Sequence, residues 1–246
     1  MKKLFLIYCL FIIPSFVKAQ NTTLDVVYLE HLKWQPKNKE KYSKEETALL
    51  IEAMNEKRPF LLTLNTNESV YRPIPKINNN EPTDGTSISF SSSSTYIFKD
   101  IKNNIYLSEE SYPKKFIIKD SLQKFNWQIL NETKKILGYF SKKATTTFDN
   151  YECIAWFAPD IEIKNGPDEF WGLPGLILNL EIKHKKADEI RIIEVESISK
   201  SQSPSILQET AKKKKGKTIS KNEFQKIFDD FVKKEDEMLG GGVDTD

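Results

Sequence analysis

Four acidic side chains that lie close together in the sequence are the first candidates for chemistry in this chain. They flank a segment rich in glycine and proline, and they are Asp160, Glu162, Asp168 and Glu169. Two carboxylates can serve as general acid and general base, whereas a calcium loop needs several oxygen ligands at regular spacing. Lys164 interrupts that spacing, so the pattern favours solvated loop charges over a calcium site. A hydrolytic pair formed by Asp160 and Asp168 stays open as an alternative.

Cys153 is the second group that could react with a substrate. A cysteine becomes a nucleophile when a neighbouring base or cation stabilises its thiolate. Here the residue lies in an apolar run, two positions before Ala155, where a free cysteine usually packs as a small hydrophobic side chain. The other cysteine of the chain is Cys9, within the first 19 residues. The pattern favours a buried structural cysteine, and a hydrolase that uses Cys153 is kept as an alternative.

The two histidines do not have the spacing of a metal site. His31 lies in a run of partly alternating apolar and polar residues, and His184 lies between two lysines. Neither has a second ligand at the distance that zinc motifs require. The sequence also contains no nucleophile elbow, phosphate loop or dinucleotide fingerprint. We therefore expect no metal and no cofactor, and we favour a non-enzymatic role while leaving catalysis undecided.

Residues 1–19 have the layout of a secretory signal peptide: two lysines, an apolar stretch and a small-residue pattern ending at Ala19. A helix that spans a bilayer needs about 20 apolar residues, and this apolar stretch is shorter. We expect an exported, soluble mature chain, located in the periplasm, at the outer membrane or outside the cell. Loss of the three lysines of this segment changes the net charge from +2 to about −1, which gives no general attraction to nucleic acid.

Short β-rich segments recur along the chain and must position these side chains. Strands are expected at residues 24–34, 60–64, 69–71, 95–98, 105–107, 115–118, 126–132, 142–148, 151–158, 176–184 and 191–197. Short connections favour antiparallel neighbours, because a parallel crossover takes a dozen or more residues. Asp149-Asn150 is the clearest hairpin turn. Residues 72–94 are expected to form a loop, in which 88–90 could be a short strand.

Two capping boxes indicate helix starts. Ser43 and Glu46 precede one helix, and Ser220 and Glu223 precede another. The apolar stripe of the second helix comprises Phe224, Ile227, Phe228, Phe231 and Val232. We expect this stripe to pack on the sheet, with a partner-binding helix as the alternative. The run 212–215 of four lysines is interpreted as a solvated linker, although it could contact anionic lipid or nucleic acid.

These elements predict a mainly β fold (β with flanking α), in which a curved antiparallel sheet or half-barrel carries a helix in the N-terminal half and a C-terminal amphipathic helix. The expected organisation is a signal peptide at 1–19, an antiparallel β domain at 20–200, a linker and helix at 201–239 and a disordered tail at 240–246.

The glycine- and proline-rich segment is expected to form a rigid corner at one end of the sheet. Gly172 and Gly175 would let the backbone turn tightly around Pro174. Leu173, Leu176 and Ile177 would then reach the core, and Gly166-Pro167 would set the preceding loop against Trp156 or Trp171. An aromatic-rich concave sheet beside this corner could also hold an apolar ligand.

Several blocks of this sequence resemble the GLPGLI family, a secreted family of Bacteroidetes bacteria of the type found in Porphyromonas. The resemblance is specific across residues 126–180, and it is carried by residues 127–129, 132–139, 143–146, 155–161, 166–167 and 172–177 together with Phe170. It implies an address in the cell envelope and no particular chemistry. Members often carry a cysteine after the Gly-Tyr pair where this chain has Phe140, which argues against a thiol role for the motif here.

We expect a non-enzymatic exported protein that binds an outer-membrane or periplasmic protein, or a small apolar molecule. The residues expected to take part in binding are Trp156, Asp160, Gly166, Pro167, Phe170, Trp171, Gly172, Leu173, Pro174, Gly175, Leu176 and Ile177. A hydrolase that uses Cys153 or the Asp160/Asp168 pair is one alternative. A structural component of the envelope is the other.

Overall fold

The computed structural model describes residues 22–34, 43–75, 94–111, 114–186, 189–212 and 218–240. The expected signal peptide, the expected short strand at 88–90, residues 213–215 of the lysine run and the tail from residue 241 lie outside the described residues.

Twelve strands and three helices form this described part of the chain. The strands are β1 (Leu24–Trp34), β2 (Arg58–Leu64), β3 (Glu68–Pro73), β4 (Ser94–Asp100), β5 (Ile105–Glu110), β6 (Phe116–Asp120), β7 (Gln128–Ile136), β8 (Tyr139–Phe148), β9 (Tyr151–Ala158), β10 (Leu176–His184), β11 (Glu189–Lys200) and β12 (Thr218–Ile219). The helices are α1 (Lys44–Asn55), α2 (Ile206–Lys212) and α3 (Lys221–Gly240).

All these strands belong to one sheet, in the order β12-β6-β5-β4-β3-β2-β1-β11-β10-β9-β8-β7. Strands β2 to β6 form one meander and β7 to β11 form another, and β1 joins them by pairing with both β2 and β11. The pairing is antiparallel throughout, except between the two-residue β12 and β6. The predicted mainly β fold with flanking helices is therefore confirmed.

The connection between β6 and β7 requires this sheet to curl. The two strands lie ten positions apart in the sheet order, and residues 121–127 connect them. With neighbouring strands about 4.8 Å apart, a flat sheet would separate them by about 48 Å. A chain of this length reaches at most about 30 Å. The two edges therefore approach each other, and the sheet is an open half-barrel with an inner and an outer face.

The main hydrophobic core lies on the inner face. Tyr28 of β1, Phe157 of β9 and Leu180 of β10 are among its fully buried members. A smaller cluster lies on the outer face, where Phe98 of β4 packs beneath Leu207 of α2. The half-barrel thus has its large core inside and a local one under α2.

Three strands have the bounds expected from the sequence, namely β1, β9 and β10. The expected hairpin is also present: Asp149-Asn150 joins β8 to β9, with Asp149 at a φ of 47°. A second hairpin at Leu137-Gly138, between β7 and β8, was not predicted. Both of its residues have positive φ, 49° and 84°, which is the geometry of a type I′ turn. Leucine rarely adopts that conformation, so the pair Leu137-Gly138 gave no recognisable turn signal in the sequence.

Both predicted capping boxes are present. The Ser43 backbone N–H donates to the Glu46 carboxylate at 2.8 Å, and the Ser43 hydroxyl accepts from the Glu46 N–H at 3.1 Å. Ser220 and Glu223 make the same exchange at the start of α3. The expected docking of α3 on the sheet is confirmed for the first part of the stripe: Phe224 and Ile227 pack against the main core, and Phe224 lies edge-on to Phe116 of β6 at 5.8 Å between ring centroids. The short α2 and β12 were not predicted.

Candidate functional site

The glycine- and proline-rich segment is the loop of residues 159–175, which connects β9 to β10 and lies against the inner face. Gly175 has a φ of 153°, and a Cβ there would lie 2.2 Å from the carbonyl oxygen of Ala158. A Cβ on Gly166 would lie 2.7 Å from the Cβ of Ile177. Gly172 has a φ of 96°. The expected tight corner is confirmed, and close approach of neighbouring atoms requires glycine at Gly166 and Gly175.

The three apolar side chains expected to reach the core do so. Leu173, Leu176 and Ile177 are each at most 1% exposed. The hydroxyl of Tyr28 on β1 donates to the carbonyl oxygen of Ile177 at 2.6 Å. Burial raises the pKa of Tyr28, so the hydroxyl stays protonated and remains a donor. In this conformation these three side chains anchor the loop and are not available to a partner.

Lys99 of β4 ties the loop to the opposite half of the sheet. The side chain is fully buried, and its Nζ donates to the carbonyl oxygens of Gly166, Asp168 and Phe170 at 2.8, 2.7 and 2.9 Å. An ammonium has three N–H donors, so backbone carbonyls satisfy all of them. Burial lowers the pKa of Lys99 to about 7, against the influence of the Asp168 and Glu169 carboxylates.

Two carboxylates of the loop pair with cations on other elements. Asp168 accepts a hydrogen bond from Nη1 of Arg191 on β11. The same guanidinium donates to both carboxylate oxygens of Glu30 on β1, at 2.9 and 2.8 Å. Burial alone would raise the pKa of Asp168, but Arg191 brings it below its usual value. Glu169 accepts from the ammonium of Lys221 at the start of α3, at 2.6 Å. The loop is therefore bonded to β1, β4, β11 and α3, directly or through Arg191.

A cavity of about 570 Å³ lies between the inner face, this loop and the start of α3. That volume is within the range of small-molecule sites. Its apolar wall includes Phe60, Ile97, Tyr106, Ile118 and Phe224. The charged residues that line it are Glu30, Arg58, Arg72, Glu110, Asp168, Glu169, Arg191 and Lys221. The cavity thus offers both apolar and charged surface to a ligand.

The carboxylates of this cavity are engaged, but not all of its cations are. Glu30 and the two loop carboxylates are paired as described above, and Glu110 accepts from the Ser108 hydroxyl at 3.3 Å. Arg58 is half-buried on the inner face at the start of β2. Across the described residues, no carboxylate forms an ion pair with Arg58. Arg72 has the same parity on β3 as Val70 of the outer cluster and also lines the cavity under α2. Arg58 is therefore the cation that belongs to the inner face and has no carboxylate partner among the described residues.

Tyr71 of β3 contributes a buried hydroxyl to the same cavity. The residue is 3% exposed, and its ring stacks on Phe60 at 5.0 Å between centroids. Within the part of the chain that the structure describes, its Oη has no hydrogen-bond partner. Burial, followed by the nearby Glu30 carboxylate, raises the pKa of Tyr71 well above its usual value. Tyr71 is therefore a neutral donor whose hydrogen bond is unused.

Aromatic residues hold the β6–β7 connection against the loop. The Trp127 indole N–H donates to the carbonyl oxygen of Trp171 at 2.9 Å, and the Trp171 indole N–H donates to that of Gln123 at 2.6 Å. Phe125 stacks on Phe170 at 5.0 Å. Trp156 lies on the outer face, with the ammonium of Lys134 at 4.2 Å from its ring centroid. The loop before Gly166 pairs with Trp171 through a bridge between Asn165 and Trp171, so the second of the two expected contacts is formed, whereas Trp156 lies on the other face.

Residues 74–222 match the model of a protein family described as N-glycanase peptide, N-terminal domain. The match covers more than half of the chain. The chain belongs to this family. The resemblance to the GLPGLI family is a separate expectation that stays a prediction.

Solved structures resemble this member of the N-glycanase N-terminal domain family over most of its length. Two structures of PNGF-II, in space groups P21 and C2, match with TM-scores of 0.53 and 0.52 and sequence identities of 17% and 18%. Each alignment covers 83% of this chain and 32% of the PNGF-II chain. The chain therefore spans about a third of the length of the PNGF-II structures, and the likeness concerns the fold. A comparison with curated protein sequences gave no match.

In this family member the catalytic candidates do not form a shared site. Cys153 is 2% exposed on β9, and burial raises the pKa of its thiol to about 12. Asp160 and Glu162 are exposed on the loop, whereas Asp168 is bonded to Arg191. The described residues contain no cluster of three or more His, Cys, Asp or Glu side chains that could hold a metal ion. They also contain no helix long and apolar enough to cross a membrane.

The histidines lie where the strand assignment placed them. His31 is on β1, where burial lowers its pKa, and His184 ends β10 with its ring 5.0 Å from that of Tyr151.

The residues that sequence reasoning missed are Glu30, Arg58, Tyr71, Lys99 and Arg191. Their one common signal is strand alternation, which puts Lys99 on the same side of β4 as Ile97. That signal was not decisive, because residues 96–98 are apolar on both sides of the strand.

Proposed function

We propose that this member of the N-glycanase N-terminal domain family is an exported binding protein whose cavity takes a small amphipathic molecule. The observation that carries the proposal is the open cavity of about 570 Å³, which is lined by both aromatic rings and charged side chains. Sites for small molecules are usually concave and apolar with a few placed polar groups. Because the wall also carries charged side chains, we propose an amphipathic ligand in place of the apolar molecule expected from the sequence.

The rigidity of the cavity wall supports binding. The loop is held by Lys99, by the Arg191 ion pairs and by the Lys221–Glu169 pair at 2.6 Å. A wall fixed before the ligand arrives lowers the entropy lost on binding. The catalytic alternatives have less support, because the Cys153 thiol is buried and protonated and Asp168 is neutralised by Arg191.

Export and an envelope partner belong to the proposal as well. Residues 1–19 have the sequence features of a signal peptide, and we place the mature chain outside the cytoplasm on that basis. A protein partner in the envelope would deliver or receive the ligand. Of the loop residues expected to bind, Asp160, Gly172 and Pro174 are the exposed ones, so a partner would touch the loop there.

The test uses the chain without residues 1–19 and the neutral fluorescent probe N-phenyl-1-naphthylamine, which brightens in apolar surroundings. We expect saturable binding at one site. Gln225 of α3 lines the cavity and is exposed, so Gln225→Trp fills the opening without disturbing the core. Binding should be lost in this variant.

Gln208→Trp is the matched control, because it makes the same exchange at an exposed position of α2, outside the cavity. We expect it to bind the probe like the wild type. Absence of binding in the wild type, or equal binding by wild type and a folded Gln225→Trp, would contradict the proposal.

A further inference from the structure

Resting on the proposed function, the geometry points to a ligand with an acid group: we infer that the cavity binds acidic amphiphiles, whose carboxylate or phosphate is held by the Arg58 guanidinium and the Tyr71 hydroxyl. Arg58 lies two positions before Phe60 on the inner face of β2, and Tyr71 of the adjacent β3 stacks on the Phe60 ring. Both line the cavity.

The hydrogen-bonding state of the wall favours an acid over a base. The carboxylates that line the cavity accept hydrogen bonds from Arg191, Lys221 or Ser108. Among the described residues, the inner-face groups of this wall that lack a partner are donors: the Arg58 guanidinium, which forms no ion pair, and the Tyr71 Oη. A buried donor that lacks an acceptor is costly, and an incoming oxyanion supplies that acceptor. Arginine binds carboxylate and phosphate through two parallel hydrogen bonds.

The apolar part of the ligand has a defined place. Beyond Phe60 the wall continues with Ile97 of β4, Ile118 of β6 and Phe224 of α3. The alkyl chain or ring system attached to the acid group would run along these side chains towards α3. The acid end therefore lies near β2 and β3, and the apolar end lies under the helix.

A basic amphiphile is the alternative ligand, because the carboxylates of Glu30 and Asp168 also line the cavity. An amine-bearing amphiphile would have to compete with Arg191 for these carboxylates, which already accept its hydrogen bonds. An acid breaks none of the bonds described here. This difference predicts a preference by ligand charge that a purely apolar pocket would not have.

The experiment displaces N-phenyl-1-naphthylamine from the leaderless chain with four ten-carbon competitors: decanoate, decyl phosphate, decanol and decyltrimethylammonium. We expect decanoate or decyl phosphate to compete about 10-fold more strongly than decanol, and the cation to compete least. The better of the two acids identifies carboxylate or phosphate as the preferred group. Arg58→Gln should weaken the acids about 10-fold and Tyr71→Phe about 5-fold, with decanol unchanged.

Lys119→Gln is the control for charge, since Lys119 is exposed on β6 and does not line the cavity; it should change no competitor more than about 2-fold. If the neutral probe binds but acid, alcohol and cation compete equally, or the cation competes best, the inference is wrong and the proposed function stands. If the neutral probe does not bind at all, both are wrong. The wild-type competitor series decides the inference even where a variant fails to fold.

Discussion

The Nζ atom of Lys99 lies 2.8 Å from the carbonyl oxygen of Gly166, although the two residues belong to opposite halves of the half-barrel. In the sheet order, four strands separate β4 from β10, the strand that the loop of Gly166 enters. In a flat sheet that separation is about 24 Å, far beyond the reach of a lysine. The contact is therefore possible only because the sheet is strongly curved. It also fixes the loop that forms one wall of the cavity.

Lys99→Met should destabilise the fold markedly. The change leaves the carbonyl oxygens of Gly166, Asp168 and Phe170 without their donor. We expect the free energy of unfolding in urea to fall by about 2–4 kcal/mol. Lys119→Met, at an exposed position of β6, is the matched control and should cost less than about 0.5 kcal/mol. Equal losses in the two variants would refute the role given to Lys99.

The stability contributed by Lys99 should depend on pH. Burial lowers the pKa of Lys99 to about 7 in the folded protein, whereas in the unfolded chain it is near 10.4. Between these values the unfolded chain binds the extra proton, so stability rises with pH. We expect the wild-type free energy of unfolding, relative to that of Lys99→Met, to increase from pH 7 to pH 9 by up to about 1.4 kcal/mol per unit. A flat or falling difference would show that the amine keeps its proton there.

Asp168→Asn should show the opposite dependence. Arg191 holds the pKa of Asp168 below its usual value despite burial, so the carboxylate stabilises the fold above the unfolded pKa near 3.9. That contribution is lost as pH falls through the folded pKa. We expect a loss of about 2–4 kcal/mol at pH 7 that is smaller at pH 3, because pH 3 lies below the unfolded pKa. Asp160→Asn, at an exposed position of the same loop, should be within about 0.5 kcal/mol of wild type at both pH values.

Gly175→Ala should prevent the loop from closing. The new Cβ would lie 2.2 Å from the Ala158 carbonyl oxygen, and this backbone atom cannot move aside. Gly138→Ala is the comparison, because Gly138 has a φ of 84° but nothing lies within 4 Å of its added Cβ. We expect a cost of about 1–2 kcal/mol at Gly138, from backbone conformation alone, and a larger loss of Tm at Gly175. Similar Tm values would mean that the corner is not tightly packed.

Cys153 should be unreactive in the folded protein. In the chain without residues 1–19 it is the one thiol; it is buried, and burial raises its pKa to about 12. We expect negligible labelling by iodoacetamide at pH 8 and complete labelling in guanidinium chloride. Rapid labelling of the native chain would restore the nucleophile hypothesis.

The strands and caps were predictable because their signals are local. Alternation defined β1, and the pairs Ser43–Glu46 and Ser220–Glu223 defined the starts of α1 and α3. The glycine corner was also predictable, since its residues constrain their own backbone. These features depend on neighbours in the sequence.

The cavity was not predictable, because its residues come from strands far apart in the chain. Glu30 and Arg191 are 161 positions apart, and Lys99 is 67 positions from Gly166. No spacing rule connects such pairs before the curvature of the sheet is known. Lys99 and Tyr71 also lie in β-rich runs, where polar groups suggest a solvated strand face.

The most direct test locates the ligand by NMR. The chain without residues 1–19, with ¹³C-labelled isoleucine methyl groups, is titrated with decanoate. Ile97 and Ile118 line the inner cavity, whereas Ile206 lines the cavity under α2 and Ile154 one on β9. We expect saturable shifts of the Ile97 and Ile118 methyl signals, with Ile154 and Ile206 unchanged. Shifts confined to Ile154 or Ile206, or no shifts at all, would contradict a binding site inside the half-barrel.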